Sequence, residues 1–592
     1  GVYTEVIQIK MNLLKTANII FLSFIFLSCF GQKKEEYGGS LVPLSFEDIK
    51  MEGELLVRTS KNFDRLETEI YHPENVFPEI HHVTSQGWPG DKEGRTILGL
   101  TLLAQATHRE PLYLRKMIEM IPSKVNKMGY LGPIYKDTID EQQLSGHGWF
   151  LRGLCEYYLW QNDIEVKKHI LNIVQNLALP TRGYHKNYPI NPEDRRINVG
   201  EMAGTTQNVI GNWLLSSDVG CDFIFLDGLI QAYSLFPSKE LQELIEEMIN
   251  RFLEIDLVKI KAQTHATLTA MRSLLRYYTI NQDVTLLQEV EKRYRLYRTI
   301  AMTENYENFN WFDRPEWTEP CAIIDSYILA VQLWQFTLKP EYLEDAHNIY
   351  YNAICHTQRV NGGFGCDNCT RSEECSLKVK EYEAFWCCTM RGGEGLSRAI
   401  QYSYFTNGEN VYLPFFHSGN ANFLIEGKQL HVEQKTDYPF DSKISLKIDA
   451  NSPAKISLSF FAPSWTKNHS VIVDGKQVKF SQKNGFVVIP LKISKSIEVK
   501  YSFDMVDDFR KPVNDKYTTE GNFSLRYGPL ILGYQGDEEI TFESVPCIIR
   551  ENRNLWKIKD GERAYNFTPV YHLLSKEVKG DLYKKQILFK IK

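Results

Sequence analysis

At Asn407-Gly408 the hydrophobic pattern of this chain changes period. Before it, from about residue 95 to residue 405, apolar residues recur at the three-to-four-residue spacing of helices. After it they alternate every second residue, as strands do. The chain therefore reads as an α+β multidomain protein, and 592 residues are too many for one ordinary core.

The helical pattern covers Thr96 to Ala106, Leu112 to Met120, Trp149 to Leu159, Ile164 to Leu177, Phe223 to Leu235, Leu241 to Leu253, Ala266 to Tyr278, Val284 to Tyr297, Tyr342 to Cys355 and Glu394 to Phe405. Cys321 to Phe336 is almost wholly apolar, which predicts a helix buried on all sides. Buried and amphipathic helices alternate in pairs with short links, the pattern of a double ring. Residues 45–405 are thus expected to form an (α/α)6 barrel catalytic domain; a solenoid would need a fixed repeat period, and none is visible. Nine short runs between Val411 and Tyr501, with Asp474-Gly475 as a hairpin turn, predict a C-terminal β-sandwich region over 406–592, as one unit or as two small sandwiches divided near residue 515. Part of Ser45 to Arg58 is expected to join a sheet.

Hydrophobic residues make up 43% and charged residues 24%, the balance of a soluble globular protein. The net charge of −6 and the lack of a long basic run argue against nucleic acid as a partner. Residues 1–36 read as a signal or lipoprotein segment. Met11 looks like a start, Lys15 supplies a basic region, and Ile19 to Leu27 is an apolar run too short for a stable membrane anchor. It ends in Phe26-Leu27-Ser28-Cys29, with Cys29 as the residue expected to be acylated; the alternative is plain secretion with cleavage near Gly31. Either way export is expected, to the periplasm or to the outer membrane, with a lipid anchor as the one membrane contact.

An oxidising compartment sharpens the question of the cysteines. Cys155, Cys221 and Cys355 sit in apolar helical contexts and read as buried small hydrophobes. Cys366, Cys369 and Cys375 could close a local disulfide loop or a second metal knuckle. Cys387 and Cys388 are adjacent, and upstream lies Trp317-Thr318-Glu319-Pro320-Cys321. Three thiols and one carboxylate, Glu319, Cys321, Cys387 and Cys388, match zinc in softness and in number. The bland alternatives are a vicinal disulfide or two buried free thiols.

Just upstream of Glu319, Glu304 and Glu307 lie in a loop rich in Phe309, Trp311, Phe312 and Trp317. A carboxylic acid in aromatic surroundings can hold a proton near neutral pH, so either is a candidate general acid. His147, in Ser145-Gly146-His147-Gly148, and His265, in Gln263-Thr264-His265, both read as lying at the start of a helix and as candidates for hydrogen bonding to sugar hydroxyls. Trp311 is a candidate stacking surface, and Asp91 with Arg95 a candidate polar clamp.

Taken in order, Trp88 to Arg95, Ser145-Gly146-His147-Gly148, Thr318-Glu319-Pro320-Cys321-Ala322 and Cys387-Cys388 resemble the bacterial β-L-arabinofuranosidases of glycoside hydrolase family 127, from about residue 45 onward. The resemblance implies Zn2+ held by Glu319, Cys321, Cys387 and Cys388, with Cys387 as nucleophile and Glu304 or Glu307 as acid/base, the spacing to Glu319 favouring Glu304 slightly. It implies a retaining exo-glycoside hydrolase that releases β-L-arabinofuranose or a related sugar from oligosaccharides or polysaccharides of plant cell walls. Thr389-Met390-Arg391 stands where the family often has a proline- or glycine-rich turn, which leaves the sugar open. The rival readings are a polysaccharide lyase and a non-catalytic glycan-binding lipoprotein.

Overall fold

The computed structural model describes residues 41–77, 87–195, 204–315, 318–365, 367–368, 375–379, 383–511, 521–571 and 583–592. Cys29, Trp317, Cys366 and Cys369 lie outside them. Among the described residues, twelve α-helices of ten residues or more build the first part: α1 (Gly53–Leu66), α2 (Asp91–Thr107), α3 (Leu114–Lys124), α4 (Glu141–Gln161), α5 (Ile164–Ile173), α6 (Ile224–Leu235), α7 (Lys239–Leu253), α8 (Thr264–Asn281), α9 (Val284–Ile300), α10 (Pro320–Thr337), α11 (Pro340–Ile349) and α12 (Cys388–Gln401). The even-numbered helices pack each on the next, α2 on α4, α6, α8, α10 and α12, and α12 returns to α2. Each odd-numbered helix lies outside against this closed cycle.

Residue type explains which helices go inside. In α10, Pro320 occupies the first turn, where its missing N–H costs nothing, and almost every later side chain is buried. In α7, Leu241, Leu244, Ile245, Met248, Ile249 and Phe252 line one face while charges cover the other, and the Ser238 side chain caps the start by accepting from the Leu241 N–H. Inner helices also approach one another at glycines. A Cβ on Gly148 of α4 would lie 2.5 Å from the Ile224 carbonyl oxygen of α6, and one on Gly94 of α2 would lie 2.1 Å from the Phe150 nitrogen of α4. Ser145-Gly146-His147-Gly148 is therefore helix interior. The helix begins at Glu141, before the expected Trp149, because close packing across these glycines selects them for its interior.

Two antiparallel-rich sheets, of six and seven strands, follow from Phe405 to Met505. Their inner faces meet at rings such as Phe460 and Tyr501, stacked with centroids 4.6 Å apart, and each such aromatic adds about 0.5–1.5 kcal/mol beyond its buried area. Asp474 and Gly475 both take positive φ, 46° and 76°, and close the hairpin of Thr466–Val473 with Lys476–Gln477. Ile49–Met51 adds to the edge of the seven-stranded sheet, so the Ser45 to Arg58 segment does contribute a strand. Among the described residues, the remainder forms one nine-stranded sheet rather than a second facing pair. It begins already at Asp507–Arg510 and incorporates Ser376–Val379 and Asp367–Asn368 from the stretch between α11 and α12. Asn352 ties this sheet to the helices, donating to the Pro529 carbonyl at 2.7 Å and accepting from the Ile531 N–H at 3.0 Å. Among the described residues no helix is long and apolar enough to cross a membrane.

Candidate metal centre and active site

The N-terminal ends of α2, α8, α10 and α12 meet at one end of the helical cycle. Asp91 opens α2, His265 is the second residue of α8, Glu319 immediately precedes α10 with Cys321 in its first turn, and Cys387 immediately precedes α12, which Cys388 opens. Helix N-termini carry partial positive charge and favour thiolates.

Glu319, Cys321, Cys387 and Cys388 present one ligand atom each within 4.8 Å of one another. The Cys387 and Cys388 sulfurs are 3.2 Å apart and those of Cys321 and Cys388 3.4 Å, and all three residues are free thiols. Arg95 donates Nη1 to the Cys321 sulfur at 3.0 Å, and its Nη2 holds Asp91 at 2.9 Å. Asp91 and Arg95 thus form a buried i,i+4 pair against the cluster. Burial pushes the Cys321 thiol far up. At Cys387 a hydrogen bond with Cys321 pulls the other way, but the Cys388 sulfur and burial outweigh it and raise this thiol as well. Cys321 and Cys387, crowded against Cys388 and kept neutral by the protein surroundings alone, are what a divalent soft cation would ionise, so the donor set fits a metal such as zinc.

Glu319 is held on two sides. Gln263 donates to its Oε2 at 3.3 Å, and His265 Nδ1 lies 3.5 Å from its Oε1. Burial works to raise this carboxyl, yet His265 and Arg95 outweigh it and keep it below the usual glutamate range. His265 Nε2 in turn lies 3.2 Å from Asp325. Burial pulls the His265 imidazole down, but Glu319 and Asp325 leave it raised. Asp325 pairs with Arg272 and Arg391, and Glu394 joins Arg272, Arg391 and Arg152 below it, so a continuous buried ion network runs from the cluster into the ring. Trp149 is stacked on His265 at 5.7 Å, with the Arg391 guanidinium 4.1 Å from its ring centre. Sequence reasoning missed Gln263, Asp325 and Asp218, whose carboxyl is raised to about 7 by burial and by Glu319. Asp325 had a signal: it is the one charged residue in α10.

Glu307 is fully buried and accepts from the Thr318 hydroxyl at 3.4 Å, with His356 Nε2 3.8 Å from its other oxygen. Glu304 is also buried, with its charge felt by Arg526 of the nine-stranded sheet. Trp311 is buried, donates to the Ser217 carbonyl at 3.3 Å and carries Arg314 over its face. His147 sits in the second turn of α4, not at a helix start. Its Nδ1–H donates to the Gln143 carbonyl at 2.8 Å, and its Nε2 accepts from the Leu131 N–H at 3.0 Å. Both nitrogens are spent on backbone, and burial lowers its pKa to about 4. Cys155, Cys221 and Cys355 are buried, and Cys375 is a free thiol at the start of the strand segment after residue 374.

Residues 410–505 match the family model described as the GH127 middle domain of β-L-arabinofuranosidase. That match lies within the two facing sheets and contains none of the four cluster residues. A curated relative, the non-reducing end β-L-arabinofuranosidase of Bifidobacterium longum subsp. longum, is 24% identical over 264 residues, which cover 40% of this chain and 39% of the relative. The match thus spans about two-fifths of that protein's length. Among solved structures, a GH127 β-arabinofuranosidase superposes with a TM-score of 0.71 at 14% identity, covering 94% of this chain and 98% of the other. A GH127 β-L-arabinofuranosidase from Geobacillus stearothermophilus T6 gives 0.67 at 13%, covering 92% and 100%. The matched middle domain and the curated relative both point to glycoside hydrolase family 127, and the fold of the chain is that of the GH127 structures.

Proposed function

We propose that this protein is a retaining exo-glycoside hydrolase whose nucleophile is Cys387, acting on β-L-arabinofuranosides or a related furanoside from plant cell-wall glycans. The closed cycle of inner helices with its outer layer is read as an (α/α)6 barrel, with the active site at the end where the inner N-termini meet. One observation carries the reading: three thiols and one carboxylate converge within 4.8 Å at that end. Glu319, Cys321, Cys387 and Cys388 would hold Zn2+, which when bound supplies positive charge that lowers the thiol pKa values.

Cys387 is the least buried of the three cysteine residues, which supports its role as the one that meets substrate. Its thiolate attacks the anomeric carbon as the glycosidic bond breaks, and a carboxylic acid protonates the departing oxygen. The same residue, now a carboxylate, takes a proton from water, whose oxygen displaces the sulfur. Two displacements at one carbon return the original configuration. Glu307 is the better supported acid/base, because its carboxylate is hydrogen-bonded to Thr318, the neighbour of Glu319. His265 and Arg95 orient Glu319 and Cys321. Export with acylation at Cys29 remains part of this proposal, placing the enzyme where cell-wall fragments arrive.

The test is turnover of an aryl β-L-arabinofuranoside by the reduced wild type and by Cys387→Ser. Wild-type release of the sugar with retained anomeric configuration, abolished in the variant, is the expected result. Unsaturated products absorbing in the near ultraviolet, or full activity of Cys387→Ser, would overturn it.

A further inference from the structure

The segment leading into Cys387 carries two aromatic rings on its outside. Phe385 is 38% and Trp386 48% exposed, and among the described tryptophans Trp386 is the exposed one. Leaving an indole in water forgoes the burial that the other described tryptophans gain, fully or in part. The two rings meet edge to face with centroids 5.1 Å apart, so each limits the other's rotation.

The backbone beneath them is held from several sides. The Tyr71 hydroxyl donates to the Phe385 carbonyl at 2.6 Å. Glu383 is paired with Arg65 and accepts from the Thr389 hydroxyl at 3.0 Å. Thr389 Oγ1 in turn accepts from the Phe364 N–H at 3.0 Å, and the Thr389 N–H donates to the Ala384 carbonyl at 3.2 Å. A loop anchored this well, with its two large apolar side chains turned outward, is a preorganised surface rather than a poorly packed one. The next residue is Cys387, partly buried at the N-terminus of α12. Trp386 is thus the residue directly before the candidate nucleophile in the chain.

We propose that Trp386, braced by Phe385, is the platform on which the leaving-group sugar stacks, and so determines which aglycones the enzyme accepts. The proposal rests on the hydrolase reading above and adds the subsite beyond the scissile bond. The apolar C–H face of a pyranose or furanose ring pairs with an indole face, and Trp386 is the exposed one of the described tryptophans and the residue next to the candidate nucleophile. The ligand class is therefore a glycan with a sugar, not a small alkyl group, on the leaving side.

The experiment compares kcat/KM for an arabinofuranosyl disaccharide and for methyl β-L-arabinofuranoside in wild type, Trp386→Ala and Trp386→Phe. The expected result is a fall of about tenfold in the disaccharide-to-methyl ratio for Trp386→Ala, with Trp386→Phe near wild type and the methyl glycoside nearly unaffected throughout. An unchanged ratio in Trp386→Ala would overturn the platform while leaving the hydrolase reading intact. A wild type that cleaves neither compound would overturn the hydrolase reading, and the platform with it.

Discussion

The Arg95 guanidinium on α2 donates to the Cys321 sulfur on α10 at 3.0 Å, while Asp91 fixes its other nitrogen. A full positive charge against a buried sulfur favours the thiolate, the form in which a cysteine binds metal. Arg95→Gln should therefore weaken metal binding by about 10–100-fold, as removal of a residue that supports a ligand does. Competition with a chromogenic chelator measures this, and wild-type affinity in the variant would show that Arg95 serves packing alone.

Asp325 sits beneath His265 with Arg272 and Arg391 on its other side. Removing its charge leaves Arg272 and Arg391 to share Glu394 in a buried setting. Asp325→Asn should lower stability by about 3–5 kcal/mol. Urea unfolding followed by circular dichroism checks it; a midpoint within error of wild type would contradict the network.

Glu307 and Glu304 separate the geometric reading from the spacing one. Glu307→Gln should slow turnover of a substrate with a poor leaving group by about 10²–10⁴-fold, with an activated aryl leaving group much less affected. Glu304→Gln should change both less. The reverse pattern would move the acid/base role to Glu304.

His147 is neutral in the folded protein, its pKa lowered from 6.5 to about 4 by burial. A depressed folded pKa contributes stability that is present above about pH 6.5 and lost as pH falls toward 4, because the unfolded chain binds the proton first. Each such histidine adds a slope of about 1.4 kcal/mol per pH unit in that window. His147→Gln should be less stable at pH 7 yet show a shallower decline of melting temperature between pH 6.5 and 4. Parallel curves would mean that the imidazole is protonated in the fold.

The period of the hydrophobic residues made the helices and the switch to strands legible, and the paired chemistry of Glu319, Cys321, Cys387 and Cys388 was legible from residue type alone. Two helices begin before their apolar runs do. Helix α12 begins at Cys388, three residues before the start expected near Arg391 and well before the apolar run from Glu394. A Cβ on Gly392 would lie 2.1 Å from the Phe364 ring and one on Gly395 2.2 Å from Ile324, so contacts distant in sequence select these glycines. The role of His147 was hidden for a similar reason, since its partner Leu131 comes from the segment before α4, while Gln143 lies one turn earlier in α4 itself. The strand Ser376–Val379 pairs with Tyr583–Gln586 across two hundred residues, a separation no local pattern reveals.

The central claim is a metal held by three thiolates and Glu319. Metal content of the purified, reduced protein by mass spectrometry, for wild type and Cys388→Ala, tests it most directly. The account predicts about one equivalent of zinc in wild type and its loss in the variant. Metal-free wild type, prepared reduced and without chelators, would contradict it.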